Sequence, residues 1–315
     1  MKPGGFDPSF LVRFLVFLAL PVLLASLYLF CIRPSALRWG ATPQEIARSM
    51  PGDDLVPSPT FSATRAITIQ GTPRQIWPWL AQMGFRRAGY YGYDLIENLG
   101  SPSGIRSSNT ILPALQHPQP GDEMPISAAA SMIFGDVQPG SYLVWRGRMT
   151  PSDGSLVWAL YPIDQSHTRL VSRVRLHYHW RDSRLILDLF TEFADHVAVP
   201  KILQGIAARV RGDPVESLTA EAVEISVWLL ALTECSIAGV LVLFGRHCVR
   251  AWLLSAAAGL VLLFTLYAHA PVGICAALAL AVLGMMVALL RKRVPPYSAR
   301  SASTGSIAAA RRAGK

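Results

Sequence analysis

Cysteine is absent from residues 33–224 of this 315-residue chain: Cys31, Cys235, Cys248 and Cys275 all lie in or beside long apolar runs. No disulfide framework holds the central region, and it has no cysteine nucleophile. The cysteine spacings fit no zinc pattern, so buried, inert thiols are expected. A Gly-x-Ser-x-Gly elbow is missing too, and Gly84, Gly89 and Gly92 match no phosphate loop. No motif calls for a metal or a cofactor. Charge is scarce, at 16% of residues, yet the net charge is +9. The excess sits largely at the edges of apolar runs and in the tail: Arg246, Arg250, Arg291, Lys292, Arg293, Arg300, Arg311, Arg312 and Lys315. That distribution is a membrane-topology signal with attraction to anionic headgroups. Without a recognition motif it does not point to nucleic acid.

What the chain has in abundance is apolar sequence, with 51% hydrophobic residues and a mean hydropathy of +0.34. Four runs stand out, at 14–32, 225–244, 251–268 and 272–290. Each is close to the ~20 residues that a helix needs to cross a bilayer core. The expected organisation is an anchor at 1–32, a linker at 33–59, a globular domain at 60–211 and a second linker at 212–224. A three-helix membrane region at 225–290 and a basic disordered tail at 291–315 follow. The first run is long for a signal peptide and lacks a clean cleavage site, so an uncleaved anchor is expected.

Arg246 and Arg250 lie between the second and third runs, and basic residues follow the fourth, whereas His269-Ala270-Pro271 carries no Lys or Arg. The positive-inside rule then places both termini in the cytoplasm and the domain outside. Arg33, Arg38 and Arg48 after the first run argue mildly the other way. Glu234 falls inside a span, where a neutral or hydrogen-bonded carboxyl facing other helices is expected. Ser255-x-x-x-Gly259 suits close helix packing.

Within the domain, residues 60–70 alternate, with Phe61, Ala63, Ile67 and Ile69 on one face. Gly71-Thr72-Pro73 then supplies a turn, an N-cap and a proline at the first helical position. Strands are expected at 122–126, 142–148, 156–161 and 168–180. On the last, Arg169, Arg173, Arg175, His177 and His179 share one face, read as solvated. His177-x-His179 lacks a third ligand for zinc. A long amphipathic helix follows, with Ile186, Leu189, Phe190, Phe193 and Val197 at helical spacing. A second stretch, with Ile202, Ile206 and Val210, is expected to lead towards the membrane. This order is α+β.

The run Thr72-Pro73-Arg74-Gln75-Ile76-Trp77-Pro78-Trp79-Leu80, the segment Gln82-Met83-Gly84-Phe85 through Tyr93-Asp94-Leu95-Ile96-Glu97-Asn98, and Gln116 with Gly121-Asp122 resemble the START/Bet v 1-like helix-grip superfamily (SRPBCC; polyketide cyclase/dehydrase and lipid transport). The likeness is to its membrane-associated bacterial members and covers roughly residues 60–210. It implies a curved antiparallel sheet around a long C-terminal helix, with an apolar cavity between them. It does not imply one reaction.

Tyr90, Tyr91, Tyr93, Asp94 and Glu97 form the densest polar and aromatic group, and Tyr suits an amphipathic ligand. With Trp145, Trp158 and Tyr178 they are the candidate ligand-binding residues. Asp94 and Glu97 also fit an N-cap and its capping-box partner. The expected function is a non-enzymatic, membrane-anchored module holding a lipid or other hydrophobic small molecule, with membrane lipids as neighbours. The alternatives are a cyclase- or hydratase-type enzyme, using a pair drawn from Asp94, Glu97, Glu123 or His177, and a partner-docking domain.

Overall fold

The computed structural model describes residues 8–147, 154–180, 184–245, 247–268 and 270–291. Arg246, His269, the end of the expected strand 142–148 at Arg148 and the tail after Arg291 lie outside the described residues.

The first helix, α1 (Pro8–Leu27), contains Pro21 and ends in a π-helical turn, Tyr28–Ile32. Two short helices follow, α2 (Arg33–Ala36) and α3 (Pro43–Ala47). Strand β1 (Phe61–Gln70) leads into α4 (Pro73–Gln82). There the Gln75 side-chain carbonyl accepts the Thr72 N–H at 2.8 Å, closing the expected N-terminus. A single turn, α5 (Asp94–Glu97), precedes the strands β2 (Glu123–Pro125), β3 (Ser131–Gln138), β4 (Tyr142–Arg146), β5 (Gly154–Pro162) and β6 (His167–Leu176). The long helix α6 (Arg184–Arg211) then runs to α7 (Leu218–Phe244), α8 (Cys248–Tyr267) and α9 (Val272–Arg291).

The six strands form one antiparallel sheet in the order β1-β6-β5-β4-β3-β2. This is the α+β helix-grip arrangement, joined to four helices long and apolar enough to cross a membrane. β3 was not expected from the sequence. A register shift between Phe134 and Asp136 breaks its alternation, which hides the period-2 signal. β6 ends at Leu176, short of the expected 180.

Three further expectations are corrected. The basic face of β6 is not wet. Residues 37–56 fold over it, and Arg173 donates to the carbonyls of Glu45, Ile46 and Arg48 and pairs with Asp53 at 2.7 Å. Arg169 pairs with Glu45 at 2.6 Å. The strap thus consumes the arginine donors and covers an apolar patch of Met50, Ala66, Val144, Val157 and Val171. Second, the halves of α6 exchange roles. Ile202, Leu203 and Ile206 grip the sheet, while Ile186, Leu189 and Phe190 are exposed. Gly205 makes this possible, because a Cβ there would lie 1.9 Å from the Tyr91 carbonyl oxygen. Third, Asp94 is not an N-cap: Tyr93 holds that position, without a side-chain bond.

In the membrane region, Ser255 is fully buried and donates to the Cys235 carbonyl at 2.7 Å. Gly239 faces Phe17, and Gly259 faces Leu24. Small residues therefore let α1, α7 and α8 approach closely. Glu234 is buried within this bundle, and neither of its oxygens has a hydrogen-bond partner.

Candidate functional site

Residues 84–98 form a tight loop held by its own backbone. Gly84 and Gly89 bridge each other, and Tyr91 has a φ of +69°. Burial and hydrogen bonds fix the three tyrosines separately. The Tyr90 hydroxyl donates to the carbonyls of Pro125 and Ile126, and that of Tyr91 to the Trp79 carbonyl. The Tyr93 hydroxyl donates to Glu224 on α7 at 2.8 Å, and its ring stands edge-on to Trp228. Burial pushes all three phenols above their usual range, so each remains a donor.

Asp94 accepts from the Ser107 amide at 3.0 Å, the Ser107 hydroxyl at 2.5 Å and the Asn98 side chain at 3.0 Å. Those bonds tie the 101–107 loop to α5. Glu97 turns inward. Its carboxylate oxygens are buried without side-chain partners, and one would lie 2.6 Å from a Cβ on Gly92. Burial, reinforced by Asp94, pushes its pKa up to about 8. At neutral pH Glu97 is therefore predominantly a neutral acid.

Tyr91 and Asp94 open onto a small polar pocket of about 170 Å³, together with Lys201 and Arg209 of α6 and Glu216 and Glu221 beyond it. Lys201 pairs with Glu216 at 2.6 Å and Glu224 at 3.1 Å. Burial alone would lower its pKa, but these carboxylates raise it, so it stays charged. Arg209 lies over the Tyr91 ring at 4.5 Å, and burial lowers its pKa. The pocket is the joint between domain and membrane helices.

The remaining candidates lie apart from this loop. Trp145 and Trp158 pack edge to face at 5.9 Å in the core and are fully buried, with neither indole N–H bonded. Together with Phe134 they fill the concave side of the sheet. Tyr178 stacks on Phe61 at 6.3 Å, at the membrane-proximal end. Of the possible acid–base residues, Asp94 and Glu97 are neighbours on α5, whereas Glu123 is exposed on β2 and His177 lies past β6.

The larger concavity is elsewhere. A groove of about 730 Å³ opens at the far end of the sheet from Phe61, lined by Pro73, Trp77 and Pro78, by Gln116 and Pro118, and by Val137 and Pro139. A glutamine network builds its wall. The Gln116 side-chain amide donates to Gln82 at 3.1 Å and to the Pro78 carbonyl, while Gln82 accepts from Leu112 and donates to Thr110. None of the eight expected ligand residues lines this groove. Two signals in the sequence bear on it: the apolar stripe of α4, and the otherwise unexplained pair Gln82 and Gln116.

No family model and no curated protein matches the chain. Solved structures to which the chain is similar include a protein from Mesorhizobium loti, 12% identical, covering 49% of this chain and 99% of that one at a TM-score of 0.32. CalU16 from Micromonospora echinospora is 12% identical and covers 64% and 88% at 0.28. A polyketide-cyclase-like protein from Corynebacterium glutamicum is 14% identical and covers 53% and 93% at 0.25. At this distance neither substrate nor activity transfers.

Proposed function

We propose that the chain is a membrane-anchored binding module for a hydrophobic small molecule, a lipid or another apolar compound. The observation that carries this reading is the groove beside α4. Its volume of about 730 Å³ falls within the range of small-molecule sites, ~300–1,000 Å³. Its walls are largely apolar and aromatic, with Trp77, Val137 and four prolines, while Arg74, Gln116, His117 and Gln119 offer a few polar groups. That composition suits a ligand with an apolar body and one polar end. Trp145, Trp158 and Phe134 fill the interior, so deeper uptake requires those side chains to move. The 90–98 segment then serves as the joint that holds the groove-bearing domain to α7 through Tyr93 and Lys201. In this reading the domain lies on the extracytoplasmic side of a bacterial inner membrane with both termini cytoplasmic, an orientation supported by the basic residues that follow the fourth apolar run.

A diazirine-bearing fatty acid offered to the full chain in lipid nanodiscs tests the proposal. Photocrosslinks on residues 72–78 and 116–119, lost in Val137→Trp, are the expected result. Crosslinks confined to the membrane helices would refute it. The second reading, a partner-docking domain, is favoured by the filled concave face of the sheet, and a groove that takes no probe would leave it standing.

A further inference from the structure

The first half of α6 carries an apolar surface that none of the described residues of the domain covers. Ile186 is 76% exposed, Leu187 62%, Phe190 62%, and Trp180 just before the helix 64%. Leu189 and Phe193 belong to the same exposed surface. The helix is too hydrophobic on this side for water, and a patch of this kind marks an interaction surface.

Contacts with the membrane helices fix its depth. Lys201 reaches Glu224, nearly two turns inside α7, and four residues earlier Val197 packs in a cluster with Tyr93, Leu266 and Trp228. Moving towards the N-terminus of α6 therefore means moving down α7. His196 meets the rings of Tyr28 and Tyr267 at 6.3 and 6.5 Å, and Glu192 pairs with Arg33 at 2.5 Å and accepts from Tyr28. Tyr28 lies within the span 9–36, five residues inside Arg33. At 1.5 Å per residue that is ~7 Å along the axis. Phe190 and Ile186 lie ~3 and ~9 Å further along the α6 axis from Glu192, away from the sheet. Beside Tyr28, Leu29 and Phe30 are exposed as well, so the patch continues the lipid-facing surface of the first span.

The polar groups on this half-helix suit an apolar surrounding. Glu192 is held by Arg33, Asp195 pairs with Arg65 at 2.6 Å, Asp188 accepts from His179, and the Thr191 hydroxyl donates to the Leu187 carbonyl. Polar groups already satisfied within the protein can enter a low-dielectric layer at small cost.

We infer that the first turns of α6, from Ile186 to Phe193, lie in the domain-side leaflet at the boundary of acyl chains and headgroups, as a fifth membrane contact alongside the four apolar helices, with the exposed Arg184 at the start of the helix reaching the headgroups. The occupant of the patch is lipid. The α6 helix thus joins the two environments, with one half gripping the sheet and the other anchored in the leaflet. The inference is independent of the groove.

Depth-dependent quenching tests it. In a background where the four cysteines are serine, Phe190→Cys carries a nitrobenzoxadiazole label in full-length protein, reconstituted in phosphatidylcholine vesicles. Leu187→Cys repeats the measurement should Phe190→Cys fail to fold, and Ile163→Cys in the β5–β6 turn is the aqueous control. Lipids with a doxyl group on the acyl chain should reduce emission of the α6 labels about twofold or more and leave the control unchanged. Quenching by aqueous iodide equal to that of the control would overturn the inference. So would shielding from both quenchers, which would mean that protein covers the patch.

Discussion

Glutamine in place of Glu97 should make the protein less sensitive to alkaline pH. The Glu97 carboxylate is buried beside Gly92 and Asp94, and its pKa rises from 4.5 to about 8. Between those two values the folded chain keeps a proton that the unfolded chain has lost. Stability therefore falls as pH rises through the window and levels off above about 8. At ~1.4 kcal/mol per pH unit, the ceiling on this effect is ~5 kcal/mol. Water penetration and relaxation around a buried charge reduce it, so ~2 kcal/mol is the working expectation. For a domain of this size that corresponds to a change of ~4–8 °C in Tm. Tryptophan fluorescence melts of detergent-solubilised wild type and Glu97→Gln, from pH 5 to pH 9, read it directly. The gap in Tm should widen in favour of the variant as pH rises. Parallel profiles, or a gap that closes with rising pH, would show that Glu97 is not held neutral by its surroundings.

Three further outcomes are expected. Gly205→Ala places a methyl against the Tyr91 carbonyl and should lower stability by ~1–3 kcal/mol, seen as a lower Tm. Arg173→Ala takes the guanidinium donor from three strap carbonyls and one of two arginine partners from Asp53, and should cost ~3 kcal/mol, with faster proteolysis of residues 37–56; unchanged proteolysis would contradict the role given to the strap. In intact cells, Ile163→Cys in a background lacking the four cysteines should react with an impermeant maleimide; reaction only after permeabilisation would place the domain in the cytoplasm.

The residues show why some of this was legible in sequence and some was not. The four long apolar helices and α4 carry strong local signals, namely uninterrupted apolar runs and Gly71-Thr72-Pro73, and they stand where those signals place them. Strand β3 was hidden because its bulge breaks the alternation. The strap could not be read, since its partners are more than a hundred residues away in β6 and only the fold brings Asp53 to Arg173. The periodicity of α6 was real, but periodicity does not say whether an apolar stripe meets a sheet or a lipid; Gly205 and the contacts of Glu192 decide that. The groove was invisible because its walls come from three separate segments, each ordinary alone.

Native mass spectrometry of the full chain, released from nanodiscs, tests the central claim most directly. The account predicts one apolar molecule retained per wild-type chain and much reduced retention on Val137→Trp, whose added indole intrudes into the groove. An empty wild-type chain, or equal retention by the two proteins, would contradict it.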